Sequence, residues 1–85
     1  MIPLLDRFRL IVDELSSKLC QYELDEIKDY VEAHEWGVAF EFLCTQLGEA
    51  DVKCSPEHIE RLREIGLELK VKPRYWEDLR DPSPP

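Results

Sequence analysis

Apolar side chains recur along this chain at steps of three and four. Leu4, Phe8, Ile11, Val12, Leu15 and Leu19 form the first such series, which places them on one stripe of a helix from Leu4 to Leu19. A second series, Leu24, Ile27, Tyr30 and Val31, predicts a helix from about Glu23 to Ala33. That helix must end near His34 and Glu35, because Trp36-Gly37 opens a different pattern. From Trp36 to Leu47 the residues Val38, Ala39, Phe40, Phe42, Leu43, Cys44 and Leu47 leave few positions for water. A helix apolar on most sides is the central one, covered by its neighbours.

Gly48 stands where a helix end favours positive φ. Ser55-Pro56-Glu57 reads as a new helix start: a capping hydroxyl, proline at the first helical position, then an acid facing the dipole. The fourth helix buries Ile59, Leu62, Ile65 or Gly66, and Leu69. Glycine inside a helix costs about 1 kcal/mol relative to alanine, so Gly66 is expected at a close approach to a neighbour. Pro73 starts a short fifth helix carrying Tyr75, Trp76 and Leu79, and Tyr75 and Trp76 cannot both point inward. Nothing alternates at period two, and Val52 is too short a strand signal. The expected fold class is therefore all-α: a small bundle of four main helices plus a short C-terminal one. It forms one domain over residues 1–80, followed by a frayed Pro-rich tail over 81–85.

An 85-residue chain hides only about 60–65% of the surface its unfolded form exposes. It has one core and little room for an enclosed active site, so function should lie on the outer surface. The formal net charge of −8 argues against nucleic acid, anionic lipid and any phosphate-tracking groove, and favours a basic partner. No run approaches the ~18 apolar residues of a membrane span, and no export leader is recognisable. The three cysteines, Cys20, Cys44 and Cys54, have no framework spacing, so each is expected as a small buried apolar residue. Free thiols without a leader point to the cytoplasm.

The charge is unevenly spread. Between Cys20 and Asp51 stand nine acids and one base, Lys28, while the rest of the chain balances. With Leu24, Ile27 and Val31 turned inward, Asp25, Glu26, Asp29 and Glu32 fall on the outer side of the second helix. Asp25 with Asp29, and Glu26 with Asp29, are like-charge neighbours, each costing a few tenths of a kcal/mol. The plain reading is a solvated face that aids solubility. Concentration on one helix, with repulsion tolerated, favours a docking face for cations, with Glu35 and Asp51 at its edge. Packing against the apolar third helix would hold these carboxylates rigidly, which lowers the entropy lost when a partner arrives. Among the aromatics, core packing is expected for at least two of Trp36, Tyr75 and Trp76, and any part-exposed one would make an interface anchor.

Catalytic and metal chemistry lack their usual marks. No C-x-x-C, H-x-x-x-H or E-x-x-H pair joins His34, His58, Cys44 and Cys54 into a metal site, and the three scattered glycines form no phosphate loop. A Cys-His pair or a carboxylate pair would lack a cleft. No catalysis, metal or cofactor is expected. His34 is expected as an exposed helix-end residue.

The segment Glu35-Trp36-Gly37-Val38-Ala39-Phe40-Glu41-Phe42-Leu43-Cys44-Thr45-Gln46-Leu47, preceded by Ile27 to Val31, resembles the MafI family of bacterial immunity proteins. The Ser55-Pro56-Glu57 start, Ile59-x-x-Leu62 with Ile65, and Pro73-x-Tyr75-Trp76-x-x-Leu79 are similar as well, so the likeness spans about Leu4 to Arg80. The stretch from Gly48 to Cys54 departs from the Tyr- and Asp-rich loop usual in that family. Its members are small cytosolic antitoxins that neutralise the nuclease domain of a toxin encoded beside them, in several systems an EndoU-like RNase. The resemblance implies the same task here, with a cognate toxin nuclease as partner. A nuclease that tracks RNA carries a basic groove, which an acidic helical protein can fill as a mimic of phosphate charge. An acidic helical adaptor acting through homodimerisation is the alternative from another class.

Overall fold

The computed structural model describes residues 2–81; of the tail expected to fray over 81–85, residues 82–85 lie outside them. Five α-helices follow in order: α1 Leu4–Leu15, α2 Gln21–Glu32, α3 Trp36–Glu49, α4 Pro56–Glu68 and α5 Arg74–Glu77. Among the described residues there is no strand. One isolated bridge joins Cys54 to Arg80, where the Cys54 N–H donates to the Leu79 carbonyl at 2.8 Å. The all-α bundle of four main helices and a short C-terminal one is the observed architecture.

The central position of α3 is visible in its ring contacts. Phe40 meets Phe8 of α1 at 6.4 Å and Trp76 of α5 at 6.0 Å, edge-on. Phe42 meets Tyr30 of α2 at 5.7 Å. Three residues separate α2 from α3, so the two run antiparallel as a hairpin, and α1 packs on α4. Ala39, Phe40, Leu43 and Leu47 are wholly buried, with Ile11, Leu62 and Ile59 around them. Val38 differs from the expectation, since 40% of it is exposed. It lies in the first turn of α3, where only part of the helix is yet covered by neighbours.

The first helix is shorter than its apolar stripe. It stops at Leu15 and a 3-10 turn covers Ser16–Lys18. The Ser16 hydroxyl donates to the Asp13 carbonyl at 2.7 Å, the local bonding by which serine competes with helix continuation. Leu19 still packs against the core from the following turn.

Helix ends correct a second expectation. Gly48 lies inside α3, and no described glycine has positive φ. The left-handed residues are instead His34 (φ 62°), Asp51 (φ 55°) and Lys70 (φ 61°). Each lies two residues past the end of a main helix, just after the C-cap residues Ala33, Ala50 and Leu69, and each turn makes the same pair of bonds. His34, Asp51 and Lys70 donate to Val31, Gly48 and Leu67, while the next residues, Glu35, Val52 and Val71, donate to Tyr30, Leu47 and Gly66. This is the Schellman closure, made three times without glycine. Histidine and aspartate are among the residues that tolerate this region.

The close approach expected at Gly66 is present. A Cβ built there would come within 2.8 Å of Trp76 Cε3. Trp76 is 1% exposed, and Tyr75 turns half outward beneath the Arg74 guanidinium, 5.5 Å from its ring centre. Core packing was expected for at least two of the three large aromatics: Trp76 is fully buried, half-buried Tyr75 packs against the core, and Trp36 is half-buried.

Candidate protein-docking face

The acidic helix α2 is locally well started. Glu23, in its first turn, accepts a hydrogen bond from the Cys20 N–H at 2.9 Å, satisfying a donor that a helix start leaves open. Cys20 is thus an exposed cap-position residue rather than the buried one expected. The cysteine lies outside the apolar stripe, where the chain turns from α1 into α2. Cys44 and Cys54 are buried. Burial pushes both thiols up, the condition in which a thiol is inert.

Ile27 and Val31 are buried, and Leu24 and Tyr30 are half-buried, on the inner side of α2. At 100° per residue Asp25, Asp29 and Glu32 then cluster on the opposite side, and all three are exposed. Glu26 differs from the expectation: it is half-buried. It sits one turn before Tyr30, on the flank that meets α3, so the neighbouring helix covers part of it.

Glu35 is exposed just beyond the same end of α2, at the start of α3. Asp51 is exposed beyond the other end of α3, 14 residues long, which places it about 20 Å along the axis from Glu35. There it faces Lys53 at 3.6 Å. The six expected site residues therefore divide into a compact set (Asp25, Asp29, Glu32), a flanking Glu26, and Glu35 and Asp51 at opposite ends of α3.

No acid of the compact set is ion-paired among the described residues. Asp25 accepts from the Gln21 side chain at 2.9 Å, a neutral partner. Among the described residues Glu26, Asp29, Glu32 and Glu35 have neither an ion pair nor a side-chain hydrogen bond, and Lys28 pairs with none of them. On α1 and α4 three of the seven acids are ion-paired, and Asp6, Asp13, Glu57 and Glu64 are not. Glu14 accepts from Arg61 Nη1 at 2.7 Å and contacts His58 Nε2 at 3.2 Å, and the Arg61 guanidinium, then His58, hold its carboxyl below the usual range. Glu68 pairs with Arg7 at 2.6 Å and Glu60 with Arg63 at 3.1 Å.

One residue of this face escaped the sequence reading. Tyr22 is 68% exposed, and its position three and four residues before Asp25 and Glu26 sets it on the edge of the acidic side. A large amphipathic ring beside fixed charges is the residue type that anchors protein interfaces. The helical wheel that placed Asp25 outward would have placed Tyr22 there too. The attention given to Trp36, Tyr75 and Trp76 followed their size alone.

Among the described residues no three His, Cys, Asp or Glu side chains gather as a cation site, and no helix is long and apolar enough to cross a membrane. Comparison of the chain with protein-family models, with curated proteins and with solved structures finds no match in any of the three.

Proposed function

We propose that this chain is a cytoplasmic immunity protein that binds and neutralises a cognate toxin nuclease, an RNase of the EndoU-like kind, through the acidic outer side of α2. The observation that carries the reading is the grouping of unpaired Asp29 and Glu32, beside Asp25, on one exposed side of a helix, while Glu14, Glu60 and Glu68 of α1 and α4 find arginines. A carboxylate left without an internal base, on a helix locked against the core, is preorganised to receive a cation from outside. The resemblance of the Glu35–Leu47 segment supplies the class of partner, and a nuclease groove supplies the cations.

Inhibition on this reading needs no catalysis, metal or cofactor from the antitoxin. Asp25, Asp29 and Glu32 occupy the places of substrate phosphates, Tyr22 anchors the edge, and RNA is excluded from the groove. Contacts at the rim act mainly on association rate and weaken as salt rises. Any pair fully desolvated in the complex costs about 2–5 kcal/mol when one partner is truncated, through faster dissociation.

The test is titration of the nuclease encoded beside the gene with the variant Asp25→Lys, Asp29→Lys, Glu32→Lys. All three positions face water, so the helical fold should persist while protection is lost. A control reversing Glu60, Glu64 and Glu77 carries the same charge change on other helices and should still neutralise. Wild-type stoichiometry and on-rate in the α2 variant, with failure of the control, would place the docking face elsewhere.

A further inference from the structure

We infer that the flank of α2 turned toward α3 receives an arginine side chain of the partner, its guanidinium held by Glu26 between Tyr22 and Tyr30. This rests on the reading of α2 as a docking face for cations, and it names the cation. Tyr22, Glu26 and Tyr30 stand four residues apart, so they climb one flank of the helix, each about 40° round from the last. The Tyr30 ring lies 5.7 Å from Phe42 of α3, which fixes the flank as the one beside α3. Side chains on a helix lean toward its N-terminus. The Tyr30 ring therefore leans over the turn of Glu26, and the Glu26 carboxylate over the turn of Tyr22. Tyr22 is largely exposed, while Glu26 and Tyr30 are half-buried.

Among the described residues Glu26 has neither an ion pair nor a side-chain hydrogen bond, and the same holds for Asp29, three residues on. Lys28 cannot serve Glu26. It lies on the opposite flank of α2, in the groove that Leu24 and Ile27 share with Arg9 of α1. A carboxylate partly withdrawn from water and left without a base favours a cation from outside. Among the described residues no three His, Cys, Asp or Glu side chains gather, so the ligand set of a metal ion is lacking and the cation is organic. Asp29 borders this strip on its outer side and joins it to the acidic set.

The two tyrosines decide which organic cation fits. An ammonium group is compact and strongly hydrated, and gains little from a ring beside it. A guanidinium is planar and weakly hydrated. It stacks on an aromatic face while offering paired N–H donors to a carboxylate. The chain already shows such a contact within itself, Arg74 over the Tyr75 ring at 5.5 Å.

Titration of the whole chain with hexa-arginine and with hexalysine peptides, at one ionic strength, tests this. Hexa-arginine should bind about two- to fivefold more tightly, the size of one cation–π contact at an exposed site. The preference should vanish in Tyr22→Leu and in Glu26→Gln. Tyr22 is largely exposed and glutamine keeps the shape of glutamate, so both variants should stay helical by circular dichroism. Asp25→Asn removes a charge from the outer side of α2; it should weaken both peptides alike and keep their ratio. Equal affinities for the two peptides, a preference that survives in either of the first two variants, or its loss in Asp25→Asn as well, overturns the inference. The peptides require no toxin, so the two readings fail separately. A chain that prefers hexa-arginine yet neutralises no nuclease keeps the arginine site, and one that neutralises its nuclease without that preference loses the arginine site alone.

Discussion

Replacing Gly66 by alanine is the most direct test of how the C-terminal part of this bundle is held. Gly66 lies in the last turn of α4 with an ordinary helical φ, so its backbone accepts any L-residue. On local grounds alanine should stabilise by up to about 1 kcal/mol. The tertiary surroundings oppose this. The new Cβ would overlap Trp76 Cζ3 and stand 2.8 Å from Cε3 and 3.0 Å from Cη2. The indole has nowhere to retreat, being 1% exposed and seated edge-on against Phe40 at 6.0 Å. Overpacking of this kind costs about 1–3 kcal/mol, so the collision outweighs the propensity and Gly66→Ala is net destabilising by roughly 1–2 kcal/mol.

Urea unfolding followed by circular dichroism measures this as a lower midpoint at unchanged slope. In thermal melts each kcal/mol appears as about 4–8 °C for a chain of this size. Gly48→Ala is the internal comparison. It also lies near a helix end, but its nearest neighbour would be Leu79 Cδ2 at 3.8 Å, ordinary contact. Propensity alone then acts, and Gly48→Ala should raise stability by a few tenths of a kcal/mol up to about 1. Combining Gly66→Ala with Trp76→Phe, which shortens the obstructing ring, should recover part of the loss and give a non-additive cycle. If Gly66→Ala is as stabilising as Gly48→Ala, the tight α4–α5 contact is not what fixes glycine at this position.

Lys70→Gly should stabilise by about 1 kcal/mol, since Lys70 holds φ 61° in a region that costs an L-residue roughly 1–2 kcal/mol; a lower urea midpoint would contradict the closure described for α4. A thiol reagent should label one cysteine of three in the native protein, Cys20, and all three after unfolding, because Cys44 and Cys54 are buried; native labelling of Cys44 read by mass spectrometry would refute the packing of α3. Stability should fall on both sides of neutrality. The Glu14 carboxyl is held below its ordinary 4.5 by Arg61 and His58, so its contribution is complete above that value and disappears as pH drops through the folded value. Glu14→Gln should flatten that acid limb. The raised Cys44 and Cys54 thiols contribute fully below their ordinary 9.0 and lose that contribution as pH rises beyond it, so Cys44→Ala should flatten the alkaline limb.

Periodicity located all five helices, because a residue's place on a stripe depends on neighbours within one or two turns. Ser55-Pro56 marked the start of α4 correctly for the same reason: the Ser55 hydroxyl accepts from the His58 N–H at 3.2 Å, a bond local in sequence. The ends were harder. Glycine is the usual left-handed residue after a helix, yet His34, Asp51 and Lys70 take that role here. Their strain is outweighed by apolar neighbours such as Val71, buried just past the turn. Gly48 meanwhile continues α3 directly after Leu47, whose burial in the core keeps this turn helical. Tertiary packing overrode a good local rule in both cases.

The acidic side of α2 could be placed from the sequence, but whether it is a solvated face or a docking face could not. Nor does the sequence show which carboxylates meet a base within the fold. Glu14 finds Arg61 across 47 positions of chain and Arg7 finds Glu68 across a still longer interval, so no window of sequence contains both partners. Counting acids and bases along the chain leaves every surplus acid equivalent. The fold separates some of them: Arg7, Arg61 and Arg63 pair with acids of α1 and α4, while Lys28, the lone base among the acids of α2, pairs with none of them. The one base of α2, Lys28, stands four residues before Glu32, and a second lysine in place of Asp29 would relieve the repulsions with Asp25 and Glu26. On the proposed reading, the local cost of that excess, a few tenths of a kcal/mol per pair, is offset when cations arrive from outside the chain.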